Sequence, residues 1–462
     1  MSCTISKVNL ERYSSPRALF HKTPRISWRF SGEARDWQQA SYDLRLERAG
    51  ETHHHHVDTD QSVFNPWPFP PLSSRDRFKF SVRAISKTGL PTNWFSIDGE
   101  VALLERSDWT AVTTYGEQQA AGAPKRPFVL RHTFLNRSPQ SDNARLYITA
   151  LGVYQAALNG QPVGDQVLSP GWQSYKHRLH YQTFNVSEHL KEGYNVFTCW
   201  VGEGWYAGRL GWEGGWWDSY GEGKLGLIAQ LEIDGKTVLS TGSDGWESAY
   251  GHLLASELYD GEIFDMNHVV TGWKPTTSGP LPTAKLISPE APPVRRQERL
   301  AVQKVITTPS GQTILDFGQN LVGWVRFLQS PPSGSTVILR HAEVLEHGEL
   351  GTRPLRICKA TDTITRGTAG WEPTFTFHGF RYVQVEGWTV TSSSVEAVVI
   401  YSDMERLGDF TCSHPGLTKF HENTLWGLRG NFVSVPTDCP QRDERLGWTG
   451  DLQVSPNEGK RS

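Results

Sequence analysis

DCPQRDERLGWTGD, residues 438 to 451, is the densest polar stretch of the chain, with four carboxylates (Asp438, Asp443, Glu444, Asp451), two guanidiniums (Arg442, Arg445) and one indole (Trp448). Pro436, Pro440, Gly447 and Gly450 exclude one continuous helix through it, so the segment is a loop that projects side chains. Composition and spacing leave two readings open. One is a solvated charged loop held by mutual salt bridges. The other is a ligand site, because carboxylates accept from hydroxyls, arginine donates, and an indole covers the apolar face of a sugar ring. A carboxyl whose pKa is raised by neighbouring carboxylates can also protonate a leaving oxygen.

Upstream of this loop the period changes. Leu417, Phe420, Thr424, Leu425 and Leu428 recur at helical spacing between Pro415 and Gly430, with Ser413 as the expected N-cap. An amphipathic helix of this kind has to bury its apolar face against something. Everything before it reads as short strands of period 2: residues 25–30, 41–47 and 77–84, then 144–150 and 225–233, then 336–340, 382–385 and 395–401. Asn159-Gly160 and Asp234-Gly235 mark hairpins, since both turn positions tolerate positive φ. The proline-rich stretch 280–293 reads as a linker. The expected class is mainly β, three tandem β-sandwiches over 1–105, 106–290 and 291–402, with a different unit beginning at 403.

The chain has 462 residues, and 46 Lys+Arg against 49 Asp+Glu give a net charge of -3. That balance offers no electrostatic reason for a nucleic-acid partner or an anionic membrane surface. No apolar run reaches the roughly 18 residues of a membrane span, and residues 1–10 lack the pattern of a secretory leader, so the expected location is cytoplasmic. Five scattered cysteines contain no C-x-x-C pair and point to isolated thiols, and no cofactor or metal ligand set is assigned. His53 to His56 are expected in a loop of the first sandwich, as incidental histidines whose side chains diverge. Asp316-Phe317-Gly318 matches a kinase tripeptide without the accompanying elements of a kinase. Glycines 202, 204 and 208, followed by Trp212, Trp216 and Trp217, suggest either packed turn residues or an aromatic loop that touches sugar.

The 438–451 string resembles the signature of the bacterial-type α-L-rhamnosidases, glycoside hydrolase family 78. Residues 256–262 (SELYDGE), 315–324 (LDFGQNLVGW), 341–343 (HAE) and 377–382 (FHGFRY) resemble further strings of that family in the same order, covering nearly the full chain. The resemblance implies a fibronectin-III/Ig-like sandwich (1–105), a galactose-binding-like sandwich (106–290), a concanavalin-like sandwich (291–402) and the first segment of an (α/α)6 six-hairpin catalytic domain (403–462). It makes Glu444 the general acid. Asp438, Arg442, Trp448 and Asp451 become ligands of the rhamnose ring and Asp443 a supporting carboxylate. The substrate class implied is a terminal α-L-rhamnosyl residue on a small glycoside or a pectic polysaccharide, hydrolysed with inversion.

Inversion needs a second carboxylate to activate water, roughly 6.5–9.5 Å from the acid, and in the family it comes from a later part of the barrel. Residues 455–462 are polar, short and helix-poor, and they read as an out-of-frame tail. The expectation is therefore a C-terminally truncated chain that lacks its general base and is inactive or nearly so. The alternative from another class is a carbohydrate-binding β-sandwich protein without catalysis.

Overall fold

The computed structural model describes residues 3–13, 17–34, 36–137, 141–221, 223–448 and 450. The chain divides into two compact units, one of residues 1–110 with 180–183 and 285–291, the other of the remainder. In the first, Glu51–Val57, Gln39–Arg48, Arg77–Ser86 and Phe95–Glu100 form an antiparallel sheet in that order, and Cys3–Leu10 pairs with Ile26–Gly32. Alternate residues of these strands, among them Trp28, Tyr42, Leu44, Leu46, Phe80 and Val82, meet in one apolar core. The four histidines lie on the edge strand Glu51–Val57 and not in a loop. The pleat divides them: His53 and His55 approach Phe69, while His56 binds Asp43 at 2.6 Å. The proline-rich stretch is not a free linker either. It contains the strand Lys285–Ile287, and its Ser288 and Pro289 are bonded to Ala18 and Tyr13.

The second unit contains two cores. Around the first, the antiparallel strands Val153–Leu158, Gly193–Gly202 and Phe128–Asn136 face Ala144–Leu151 and Gly226–Ile233. Phe128, Leu146, Ile148, Phe197, Leu227 and Leu231 fill the space between the two sheets. Both expected hairpins are present, with φ of 53° and 80° at Asn159 and Gly160 and 51° and 74° at Asp234 and Gly235. Around the second core lies one nine-stranded sheet built mainly by residues 294–402. Leu253–Glu257 and Gly261–Asp265 belong to this sheet, through a parallel pairing of the latter with Thr361–Thr365. The expected 106–290 sandwich therefore does not keep that segment. Local alternation identifies a strand but carries no information about its distant partner.

Two of the motif strings, 315–324 and 377–382, turn out to be fixings within this sheet. The long strand Thr313–Phe327 changes register between Asp316 and Leu321. Asp316 accepts from the Gly318 amide at that point and takes a two-pronged ion pair from Arg381. The tripeptide is thus the corner of a bulge. Gly323, at φ 153°, passes so close to the Val398 carbonyl that a Cβ would sit 1.9 Å from its oxygen. The helix Pro415–Gly430 forms as expected, but His414 caps it in place of Ser413, its Nδ1 accepting from the Leu417 amide. Trp426 packs on the second core, while Leu417 and Phe420 remain exposed. No helix among the described residues is long and apolar enough to cross a membrane.

The contrast between the two kinds of apolar position is measurable. Leu231→Ala, in the fully buried strand Gly226–Ile233, is expected to cost about 2–5 kcal/mol in chemical denaturation. Phe420→Ala, at a side chain 70% exposed, is expected to stay within about 0.5 kcal/mol of the parent chain.

Candidate functional site

The acidic loop is anchored, not solvated. Asp443, Glu444 and Arg445 are buried, and each is held by a different part of the second unit. Asp443 Oδ2 accepts from the Gly214 amide at 3.0 Å. The Arg445 guanidinium donates to the carbonyls of Leu258 and Phe377 and lies over the rings of Tyr259 and Phe377. Glu444 forms a backbone bridge with Gly211, and its carbonyl accepts a 2.6 Å hydrogen bond from the Tyr259 hydroxyl. That hydroxyl accepts in turn from the Gly211 amide. The residues of 256–262 and 438–448 are therefore one assembly, extended by Arg209, which donates to both Glu257 and Asp260.

Glu444 has φ 122° and Arg445 φ 45°. The first lies where non-glycine residues are strained, by about 1–3 kcal/mol, and the Tyr259 and Gly211 contacts hold it there. The consequence is a carboxylate turned back onto its own loop. Arg442 Nη2 spans Glu444 Oε2 at 2.8 Å and Asp438 Oδ2 at 3.0 Å. The Trp448 indole donates to Glu444 Oε1 at 3.3 Å, and Arg356 approaches Oε2 at 3.5 Å. Trp212, from the glycine-rich loop after residue 202, brings its ring centroid to 6.1 Å from that of Trp448 and acts to lower the pKa of this carboxyl. Of the residues expected at the site, Asp438, Arg442, Glu444 and Trp448 are brought together, Asp443 faces the Gly214 loop, and Asp451 lies outside the described residues.

The electrostatics divide the two neighbouring carboxyls. Burial raises the Asp438 carboxyl above its usual range, with the Glu444 charge adding to it. At Glu444 burial acts in the same direction, but the Trp212 indole, the Arg442 guanidinium and the Trp448 indole outweigh it, so its pKa is lowered. Burial, with the Glu444 charge, thus raises Asp438, whereas the Glu444 carboxyl is lowered. Burial pushes the Cys439 thiol up to about 12, so it is protonated and a poor metal ligand beside them.

A second group with metal-binding residue types, His341, Asp362 and His378, is sealed in the nine-stranded sheet. Its imidazoles stack at 4.1 Å with planes 21° apart, so both cannot aim in-plane lone pairs at one ion. His378 Nε2 instead bonds Asp362, and burial holds the His341 pKa down to about 3. The HAE and FHGFRY strings meet in this core cluster.

Sequence reasoning missed Trp212, Tyr259 and Arg356 as partners of Glu444. Their approach depends on non-local packing, and the only signal was the recurrence of Tyr259 within one string and of Trp212 in an aromatic loop. Arg442→Met is expected to raise the Glu444 pKa, because a cation is removed from beside it, as read by NMR of the labelled carboxyl carbon. Tyr259→Phe leaves the Gly211 amide and the Glu444 carbonyl without their shared partner, and is expected to destabilise the chain by about 1–3 kcal/mol in thermal or chemical denaturation.

Four family models match the chain: the Rha78A-like N-terminal immunoglobulin domain (residues 5–105), the α-L-rhamnosidase N-terminal domain (140–298), the bacterial α-L-rhamnosidase concanavalin-like domain (306–401) and its six-hairpin glycosidase domain (405–458). An α-L-rhamnosidase of Formosa agariphila is 34% identical over 483 residues, covering 96% of this chain and 52% of the relative. The crystal structure of native α-L-rhamnosidase from Aspergillus terreus superposes with a TM-score of 0.93 at 43% identity, over 98% of this chain and 55% of that one. The Streptomyces avermitilis α-L-rhamnosidase complexed with L-rhamnose gives 0.90 at 27% identity, over 98% and 63%. The chain spans about half the length of such relatives. With tandem β domains followed by the start of a six-hairpin domain, it belongs to the bacterial-type α-L-rhamnosidase family.

Proposed function

We propose that the loop at 438–448 is the rhamnose-binding and acid half of an α-L-rhamnosidase site. Asp438 and Arg442 hydrogen-bond ring hydroxyls, Trp448 covers an apolar sugar face, and Glu444 gives its proton to the glycosidic oxygen. Asp443 keeps the loop in register through Gly214, and Asp451 belongs to the ligand set by resemblance. The observation that carries this reading is the strained Glu444 backbone, which brings one buried carboxylate under an arginine and an indole that are both partly open to solvent. Partly exposed donors around a buried acid suit a polyhydroxylated ligand.

The same geometry argues about turnover. Asp438 and Glu444 share one arginine nitrogen, and an oxygen of each lies within 4.8 Å of the other, closer than the roughly 6.5–9.5 Å that an inverting pair needs to admit a water. Asp438 is therefore a sugar ligand and not the base. We propose that this loop binds rhamnose and supplies the acid of the reaction. The immediate substrate is a terminal rhamnosyl group.

Tryptophan fluorescence of the purified chain, titrated with methyl α-L-rhamnopyranoside, tests this reading. Saturable quenching is expected, lost on Asp438→Asn or Arg442→Met and not reproduced by methyl α-D-glucopyranoside. Equal responses to the two sugars would overturn it.

A further inference from the structure

The glycine-rich loop after the strand Gly193–Gly202 has no role in the ligand set proposed above, yet it bridges the backbone of Glu444 through Gly211 and places a second indole beside Trp448. Trp212 and Trp448 are 40% and 41% exposed, their ring centroids 6.1 Å apart and their planes inclined by 50°. Exposed indoles are ordinary when scattered singly. Here two of them form an open apolar angle on one buried carboxylate, and Trp216, 65% exposed, stands on the same loop.

This loop is built to hold its shape. Leu210 and Trp216 exchange backbone hydrogen bonds at 3.1 and 2.9 Å, and the Gly215 amide closes onto the Trp212 carbonyl at 2.8 Å. The amides of Gly211 and Gly214 are tied to Tyr259 and to Asp443. A Cβ at Gly215 would sit 2.6 Å from the Leu210 carbonyl oxygen, so the tight return at this position depends on glycine. The Trp212 ring is therefore presented at a defined place, with little ordering left to be done on binding.

We infer that Trp212 forms the subsite for the group attached to rhamnose, and that it favours an aglycone presenting a flat apolar ring face. The inference rests on the proposed role of Glu444 as the acid. An acid that protonates the glycosidic oxygen touches the leaving group as well as the sugar, so the first ring of the aglycone lies against the side chains bordering the acid. Trp448 is already committed to rhamnose by resemblance. Trp212, beside Trp448 but from a loop more than two hundred residues earlier, is left to meet the next ring. An aromatic ring stacks on an indole with its whole face, and a hexose does so with its C–H face; the two sources are separated by the ligands below.

The experiment measures three affinities on the full chain by tryptophan fluorescence: methyl α-L-rhamnopyranoside, p-nitrophenyl α-L-rhamnopyranoside and a rhamnosyl-glucose disaccharide. The aromatic rhamnoside is expected to bind about tenfold more tightly than the methyl one, with Trp212→Ala collapsing that ratio to near one and Trp212→Phe, which keeps a ring but not the N–H, retaining most of it. A ratio that survives Trp212→Ala overturns the inference, as does a parent chain that binds the methyl and aromatic rhamnosides equally. A disaccharide that gains as much as the aromatic rhamnoside, and loses it in Trp212→Ala, assigns the subsite to a sugar face. Failure of methyl rhamnoside to bind better than methyl glucoside overturns the rhamnose site itself, and the subsite with it.

Discussion

The hydroxyl of Tyr259 is the joint on which the acidic loop turns. Sealed from solvent, it donates to the Glu444 carbonyl and accepts from the Gly211 amide, so one oxygen ties three chain segments that are far apart in sequence. Neither backbone group has water available, and each is costly to leave unpaired. The strained φ at Glu444 persists because these bonds and the Gly211 bridge fix the residue from both sides. Relaxing Glu444 to an ordinary β conformation would swing its carboxylate away from Arg442 and the two indoles. The chemistry of the loop is therefore set by packing beneath it.

That packing also accounts for charges that look out of place inside a protein. Arg209 is buried against Glu257 and Asp260, and Asp260 also binds Lys359. The Arg445 guanidinium is satisfied by carbonyls and ring faces. Burying such groups is tolerable only when their hydrogen bonds are met by fixed partners. Glu257 illustrates the principle: it accepts from the amides of Tyr259 and Asp260 as well as from Arg209, and so shapes the turn that carries the Tyr259 hydroxyl. A string such as SELYDGE is dense in polar residues because one turn has to orient a phenol, receive an arginine and re-enter a sheet.

Much of the architecture was legible in the sequence wherever the signal is local. Period-2 alternation located the strands, Asn159-Gly160 and Asp234-Gly235 located hairpins, and the change of period located the helix at 415–430. What was not legible is pairing at a distance. Leu253–Glu257 and Gly261–Asp265 fall within the expected 106–290 sandwich but join the nine-stranded sheet, because a strand's partner is chosen by tertiary packing. The histidine run read as a loop through its polarity, although an edge strand exposes both faces and tolerates such a sequence. At the site, the members of one contiguous loop could be named together. Trp212, Tyr259 and Arg356 could not, since nothing in their own neighbourhoods records that they converge on Glu444.

The opposed pKa shifts of Asp438 and Glu444 bear directly on how such a site would act. One guanidinium serves two carboxyls, and of the pair Asp438 is the one pushed toward protonation while Glu444 keeps its charge. An acid catalyst requires the reverse. On the proposed reading, a rhamnosyl ring that occupies Asp438 and Arg442 supplies that reversal. Its hydroxyls donate to Asp438 and favour the ionised form there. They also compete with Glu444 for Arg442. Each change raises the Glu444 pKa, and the proton moves to the residue beside the glycosidic oxygen only when the sugar is present. The bridging arginine thus makes the acid conditional on its ligand, a property that neither carboxyl would have alone.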